Sequence, residues 1–153
     1  MKTVLITGGT RGIGLSTAIK FKQKNWAVYI TSRKQENLDL VLTDHPGLKG
    51  FVARADDLAA ASETCIKIKD ETGSLDVLIN NAGVLLMKPL QETSLEEWNE
   101  IFRVNVTSIF LGTKFAFEPM CTRNGGSIVN LSSIYGLVGA PMAAAYEASK
   151  GAI

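Results

Sequence analysis

The stretch Thr7-Gly8-Gly9-Thr10-Arg11-Gly12-Ile13-Gly14 follows the apolar run Val4-Leu5-Ile6, and its reading decides the fold. Thr3 to Thr7 reads as a strand, and Gly12 to about Lys24 as a helix that opens directly from the loop. Glycine is needed where the main chain turns with φ > 0 and where a phosphate must come close to the backbone. A helix starting at that point turns free N–H groups and its positive dipole end toward such a phosphate. The spacing is G-x-x-x-G-x-G, from Gly8, Gly12 and Gly14. It is neither a strict G-x-G-x-x-G nor a Walker A loop, because Leu15 and not a lysine follows Gly14.

Outward from this loop, short apolar runs alternate with helical patterns. Ala27 to Thr31 is expected to be a second strand and Gln35 to Thr43 a second helix. Phe51 to Ala55 reads as a third strand, and Ala59 to Glu71 as a helix with Ile66 among its apolar positions. Val77 to Ile79 and Ile128 to Leu131 supply the fourth and fifth strands. One long helix between them opens at Ser94, with Glu97 three residues on, a capping-box pattern. Near-continuous apolar strands joined by helices indicate a parallel sheet covered on both faces. The expectation is one doubly wound α/β domain over residues 1–153, in three α/β/α layers.

Composition narrows the function. The chain has 153 residues, with 16 basic and 15 acidic side chains, so it lacks the basic footprint that nucleic-acid binding calls for. Its 46% hydrophobic and 20% charged residues are ordinary for a globular protein that buries roughly 70% of its unfolded surface. The longest apolar run, Val84 to Met87, is far below the ~20 residues of a membrane span, and no signal-peptide core follows Lys2. Cys65 and Cys121 are widely separated, which suits neither a disulfide framework nor a metal cage. The lone His45 sits in a turn-like Asp-His-Pro-Gly, a poor setting for a catalytic triad. A cytoplasmic protein without a metal is expected.

Further motifs carry a resemblance. Asn80-Asn81-Ala82-Gly83 ends the fourth strand, Asn105 lies in the long helix, Ser133 follows the fifth strand, and Tyr146-Glu147-Ala148-Ser149-Lys150 forms Y-x-x-x-K. In this order, behind T-G-x-x-x-G-x-G, the chain resembles the short-chain dehydrogenase/reductase family. The resemblance implies a Rossmann-like fold and hydride transfer between a nicotinamide dinucleotide and a ketone or secondary alcohol. It implies that Gly8, Thr10, Arg11, Gly12, Ile13 and Gly14 form the cofactor loop, with Ile13 near the diphosphate. Asp57 and Leu58 would contact the adenine, Asn81, Ala82 and Gly83 would line the adenosine side, and Tyr146 and Lys150 would meet the nicotinamide ribose.

In dinucleotide folds the end of the second strand selects the cofactor, through a carboxylate for a free 2′-hydroxyl or a cation for a 2′-phosphate. Here that strand runs into Ser32 and Arg33, with Arg11 on the same side, so NADP(H) is favoured over NAD(H). Tyr146 and Lys150 are four apart and share one helix face. A free tyrosine has a pKa near 10, and a neighbouring ammonium lowers it toward the range that proton exchange with a substrate oxygen requires. Ser133, rather than Ser132, has the family's spacing to the tyrosine and would hold the same oxygen. Asn105 would complete a proton relay through water to Lys150.

Members of the family continue well beyond the position of Ile153, into two further strands and a loop over the substrate. Two expectations therefore stand side by side: a reductase described by a partial chain, and a nucleotide-binding or scaffolding fragment without turnover. Without a neighbour, Ser127 to Leu131 would be an open sheet edge. The segment Ser94 to Met120 carries Trp98, Ile101, Phe102, Val104, Val106, Ile109, Phe110, Phe115 and Phe117, more than one core-facing stripe uses. With the resemblance, this implies a homodimer or homotetramer built on that helix.

Overall fold

Strands form where β-branched and aliphatic residues run without interruption. In the computed structural model, which describes residues 1–153, Thr3–Ile6 is β1 and all four of its residues are buried. The chain continues through α1 (Gly12–Gln23), β2 (Ala27–Ser32), α2 (Gln35–Asp44), β3 (Leu48–Val52), α3 (Leu58–Thr72) and β4 (Val77–Asn80). Next come α4 (Leu95–Phe102), a π-helical turn (Arg103–Thr107), α5 (Ser108–Cys121), β5 (Ser127–Asn130) and α6 (Ala144–Gly151). Every strand pair is parallel, in the order β3-β2-β1-β4-β5. This is the Rossmann-like doubly wound arrangement.

Alternation along the strands builds the layers. Val4, Ile6, Val28 and Ile30 pack with Ala18 of α1 and with Leu38 and Val41 of α2 on one face. Leu5, Tyr29 and Leu78 point the other way, against Cys65 and Ile68 of α3 and Ala116 and Met120 of α5. The order of strands reverses beside β1, so the loops after β1 and β4 open a crevice at the carboxyl end of the sheet, where such folds bind ligands.

Three details differ from the expectation. The third strand is Leu48–Val52 and not Phe51 to Ala55, because pairing with β2 sets its register from Val28↔Leu48 to Ser32↔Val52. The sequence hides this start: Lys49 and Gly50 interrupt the apolar run, yet Gly50 lies against Leu38 of α2, where a Cβ would stand 2.4 Å from Leu38 Cδ1. In α3 the inward residues are Cys65 and Ile68, whereas Ile66 is 55% exposed. The long helix is not continuous, since the π turn divides it and Asn105 is drawn fully inside. The capping box of α4 forms as expected, with Ser94 Oγ accepting from the Glu97 N–H at 3.1 Å and Glu97 Oε2 accepting from the Ser94 N–H at 2.9 Å. β5 pairs on one side only and its four residues are exposed. No helix is long and apolar enough to cross a membrane.

Candidate active site

The glycine loop is stitched to the loop after β4 from below. Thr7 Oγ1 accepts from the N–H groups of Asn81 and Ala82, both at 3.0 Å. Asn81 Nδ2 donates back to the carbonyls of Thr7 and Gly8, at 2.9 and 3.0 Å. Gly14 allows this closeness, since a Cβ there would stand 2.5 Å from Gly8 O and 2.6 Å from Asn81 Nδ2. Gly8 and Gly12 both have φ in the left-handed region, +65° and +53°. The first helical bond of α1 runs from Leu15 N–H to Arg11 O, which leaves the N–H groups of Gly12, Ile13 and Gly14 without helical acceptors.

Above this loop lies a cleft of about 440 Å³. Gly8, Thr10, Arg11, Gly12, Ile13, Ser32, Arg33, Asn81, Ala82 and Gly83 all line it, as the sequence reading anticipated. Gly14 is not on its surface and acts from behind. The remaining wall comes from Thr31, Lys34, Asn37, Ala53, Ala55, Asp56, Val84 and Val104. Arg11, Arg33 and Lys34 are exposed, and none of them forms a salt bridge. Three uncommitted cations around a loop of free N–H groups give the cleft a positive lining over a glycine floor.

Asp57 and Leu58 are not among the residues that line the cleft. Asp57 is the N-cap of α3, its carboxylate accepting from the Ala60 N–H at 2.8 Å, and Leu58 is 59% exposed outside the cleft. The carboxylate at the cleft wall is that of Asp56, which is held by Arg103 and by Arg54 at 3.0 Å. Where α3 starts decides which of two adjacent acids caps and which faces inward.

The residues expected to do chemistry gather at the Gly83 end. Lys150 is buried, and its Nζ donates to the Leu131 carbonyl at 2.6 Å. A Cβ on Gly83 would lie 3.7 Å from that Nζ and 3.3 Å from Asn105 Oδ1, so both groups adjoin the cleft's end. Burial pulls the pKa of Lys150 below the ordinary lysine value. The ammonium is 6.0 Å from the ring centre of Tyr146, whose hydroxyl makes no hydrogen bond within the chain. Ser133 Oγ accepts from the Tyr135 N–H at 3.2 Å, opening a single 3₁₀ turn, Ile134–Gly136. The turn presses on the end of α6: Ser132 Oγ donates to Lys150 O at 2.7 Å, and a Cβ on Gly136 would stand 2.6 Å from that same oxygen.

Asn105 is committed to the backbone of one segment and the hydroxyl of another. Its Oδ1 accepts from the Val84 N–H at 2.8 Å, and its Nδ2 donates to Val84 O at 3.0 Å and to Ser149 Oγ at 2.9 Å. The side chain makes no bond to Lys150. It ties the loop after β4 to the residue before the lysine, and the π turn is what delivers it there.

Sequence reasoning missed Thr7 as the stitch, Lys34 and Asn37 in the cleft wall, and Tyr135 in the turn. Lys34 was legible from its place beside Arg33. The others depend on contacts between distant segments, for which no local signal exists.

The sequence model of the short chain dehydrogenases matches residues 2–153. Cyclopentanol dehydrogenase of Comamonas testosteroni is 44% identical, over 99% of this chain and 62% of that protein. The NADP-dependent (R)-specific alcohol dehydrogenase of Lentilactobacillus kefiri is 36% identical, again over 99% and 62%. The structure of ElxO with NADP bound superimposes with a TM-score of 0.92 at 35% identity, covering 99% of this chain and 63% of that one. The chain thus spans about three fifths of the length of the relatives it matches.

Proposed function

The chain belongs to the short-chain dehydrogenase family, and on that premise we propose that it binds NADP(H) and serves reversible hydride transfer to a ketone or from a secondary alcohol. One observation carries the reading: the cation-lined cleft runs from Arg33 to Gly83 and ends beside the Lys150 ammonium, next to a Tyr146 hydroxyl free of internal bonds. The relatives named for alcohol substrates and for NADP support it. The free N–H groups of Gly12, Ile13 and Gly14 would receive the diphosphate, Arg11 and Arg33 the 2′-phosphate, and Asn81, Ala82 and Gly83 the adenosine side. When bound, the dinucleotide supplies or accepts the hydride.

The chain's own residues would manage the proton. Tyr146 donates its phenolic proton to the carbonyl oxygen during reduction and takes it back during oxidation. Lys150 stabilises the phenolate, and its burial strengthens that effect because solvent screens it less. Ser133 has one lone pair occupied by the Tyr135 N–H, which leaves its O–H to donate to the same substrate oxygen. Asn105 holds Ser149, and through it the lysine, in place.

Exposed Phe110 and Phe117 on α5 support assembly as a homodimer or homotetramer, and the free cysteines Cys65 and Cys121 support a cytoplasmic setting. The test is calorimetric titration with NADPH, followed by a ketone panel with wild type and Tyr146→Phe. Binding together with a roughly 10²–10⁴-fold loss of turnover in the variant supports the reading. A chain that binds dinucleotide yet reduces no ketone is the scaffolding fragment instead.

A further inference from the structure

Tyr135 touches both Ser133 and Tyr146. Its N–H donates to Ser133 Oγ at 3.2 Å. Its ring meets that of Tyr146 edge to face, with centroids 6.4 Å apart and planes at 85°. This lies within the range where the aromatic quadrupoles attract. The turn does not need an aromatic residue there: its neighbours Ile134 and Leu137 are 63% and 84% exposed, while Tyr135 is half-buried. The Tyr135 hydroxyl makes no hydrogen bond within the chain, so the ring is the part with a contact to account for. The turn itself is immobilised against α6 by Ser132 Oγ on Lys150 O and by the close seat of Gly136.

We propose that Tyr135 is a positioning residue, whose ring sets the orientation of the Tyr146 phenol while its N–H sets that of the Ser133 hydroxyl. The inference rests on the proposed reductase chemistry for its consequence, though not for its geometry. The Tyr146 hydroxyl has no hydrogen-bond partner within the chain to hold it, so its ring is oriented by what packs against the ring. An edge-to-face neighbour is therefore the direct restraint on the ring's rotation. Ser133 cannot turn its hydroxyl proton into the turn, because the Tyr135 N–H already points at that side of the oxygen. One residue thus aims both groups at a single substrate oxygen.

Side-chain replacement isolates the ring, since the backbone N–H is retained in any residue but proline. Tyr135→Leu should lower kcat for ketone reduction about 2- to 10-fold, the range of one aromatic pair, with KM for NADPH unchanged. Tyr135→Phe, which keeps the ring, should restore kcat. Independently of turnover, the chain has three tyrosines, so ring-labelled ¹³Cζ spectra of the protein without dinucleotide resolve Tyr146. Its signal should move in Tyr135→Leu and stay in place in Tyr135→Phe. A wild-type kcat in Tyr135→Leu, or a Tyr135→Phe protein as slow as Tyr135→Leu, overturns the proposal. If wild type reduces no ketone, the reductase reading has failed and the spectra alone decide. In that case, a Tyr146 signal unmoved by Tyr135→Leu overturns the contact, and a shift upholds it.

Discussion

Replacing Arg33 by alanine should change which dinucleotide the chain prefers. Arg33 lines the cleft at the end of β2, beside Ser32, and pairs with no carboxylate. A 2′-phosphate carries about −1.5 to −2 charges near neutrality. At 4 Å a unit pair is worth about 1 kcal/mol in water and about 4 kcal/mol at the dielectric of a protein surface. Arg33 is exposed, so the lower end applies, and Arg11 and Lys34 remain in the variant to share the phosphate. A loss of about 1–2 kcal/mol follows, or roughly a 5- to 30-fold rise in the NADPH Kd. NADH has no 2′-phosphate, and its Kd should not move. Raising ionic strength should erode the wild-type preference and flatten the difference between the two proteins, because screening shortens the reach of exposed charges. Calorimetric titration of both proteins with both dinucleotides, at low and high salt, measures all four affinities. An Arg33→Ala protein whose NADPH:NADH affinity ratio stays within about twofold of wild type would refute the reasoning, since the electrostatic difference is then too small to select the cofactor.

Three further outcomes follow from the geometry. Asp57→Ala should cost about 1 kcal/mol in chemical denaturation through loss of the α3 cap while leaving NADPH affinity unchanged; weakened binding would return Asp57 to the adenine site. Gly136→Ala puts a methyl carbon 2.6 Å from Lys150 O and should destabilise by about 1–3 kcal/mol and depress turnover, with dinucleotide binding at the glycine loop retained. Lys150 has a folded pKa below that of the unfolded chain, so between the two values the unfolded chain holds more protons and the lysine's contribution to stability rises with pH. Lys150→Met should remove that rise when denaturation curves at pH 7 and pH 10 are compared, and a wild-type pH slope in the variant would contradict it.

The legible parts share a physical character. The glycine loop, the Ser94–Glu97 box and the Tyr146–Lys150 spacing are each constrained within a few residues, by φ angles, by orphan helix N–H groups, or by one turn of helix. Ten of the fifteen residues expected at the cofactor do line the cleft, because the loops that carry them are set by the ends of strands. Which strand residues pair is a different kind of question. β3 begins three residues before the place its hydrophobicity suggests, since contact with β2 and Leu38 outweighs local pattern.

What the sequence by itself determined was the doubly wound α/β class, the glycine turn between β1 and α1 and the placement of Tyr146 and Lys150 one helical turn apart, all of which follow from short-range stereochemistry and residue type. Only the tertiary structure decided that Asp57 caps a helix while Asp56 faces the cleft, and that Asn105 spends its amide on Val84 and Ser149. It also decided that Tyr135 stands between Ser133 and Tyr146. A polar side chain's role depends on which donor or acceptor lies within about 3 Å of it, and that partner is supplied by segments far away along the chain.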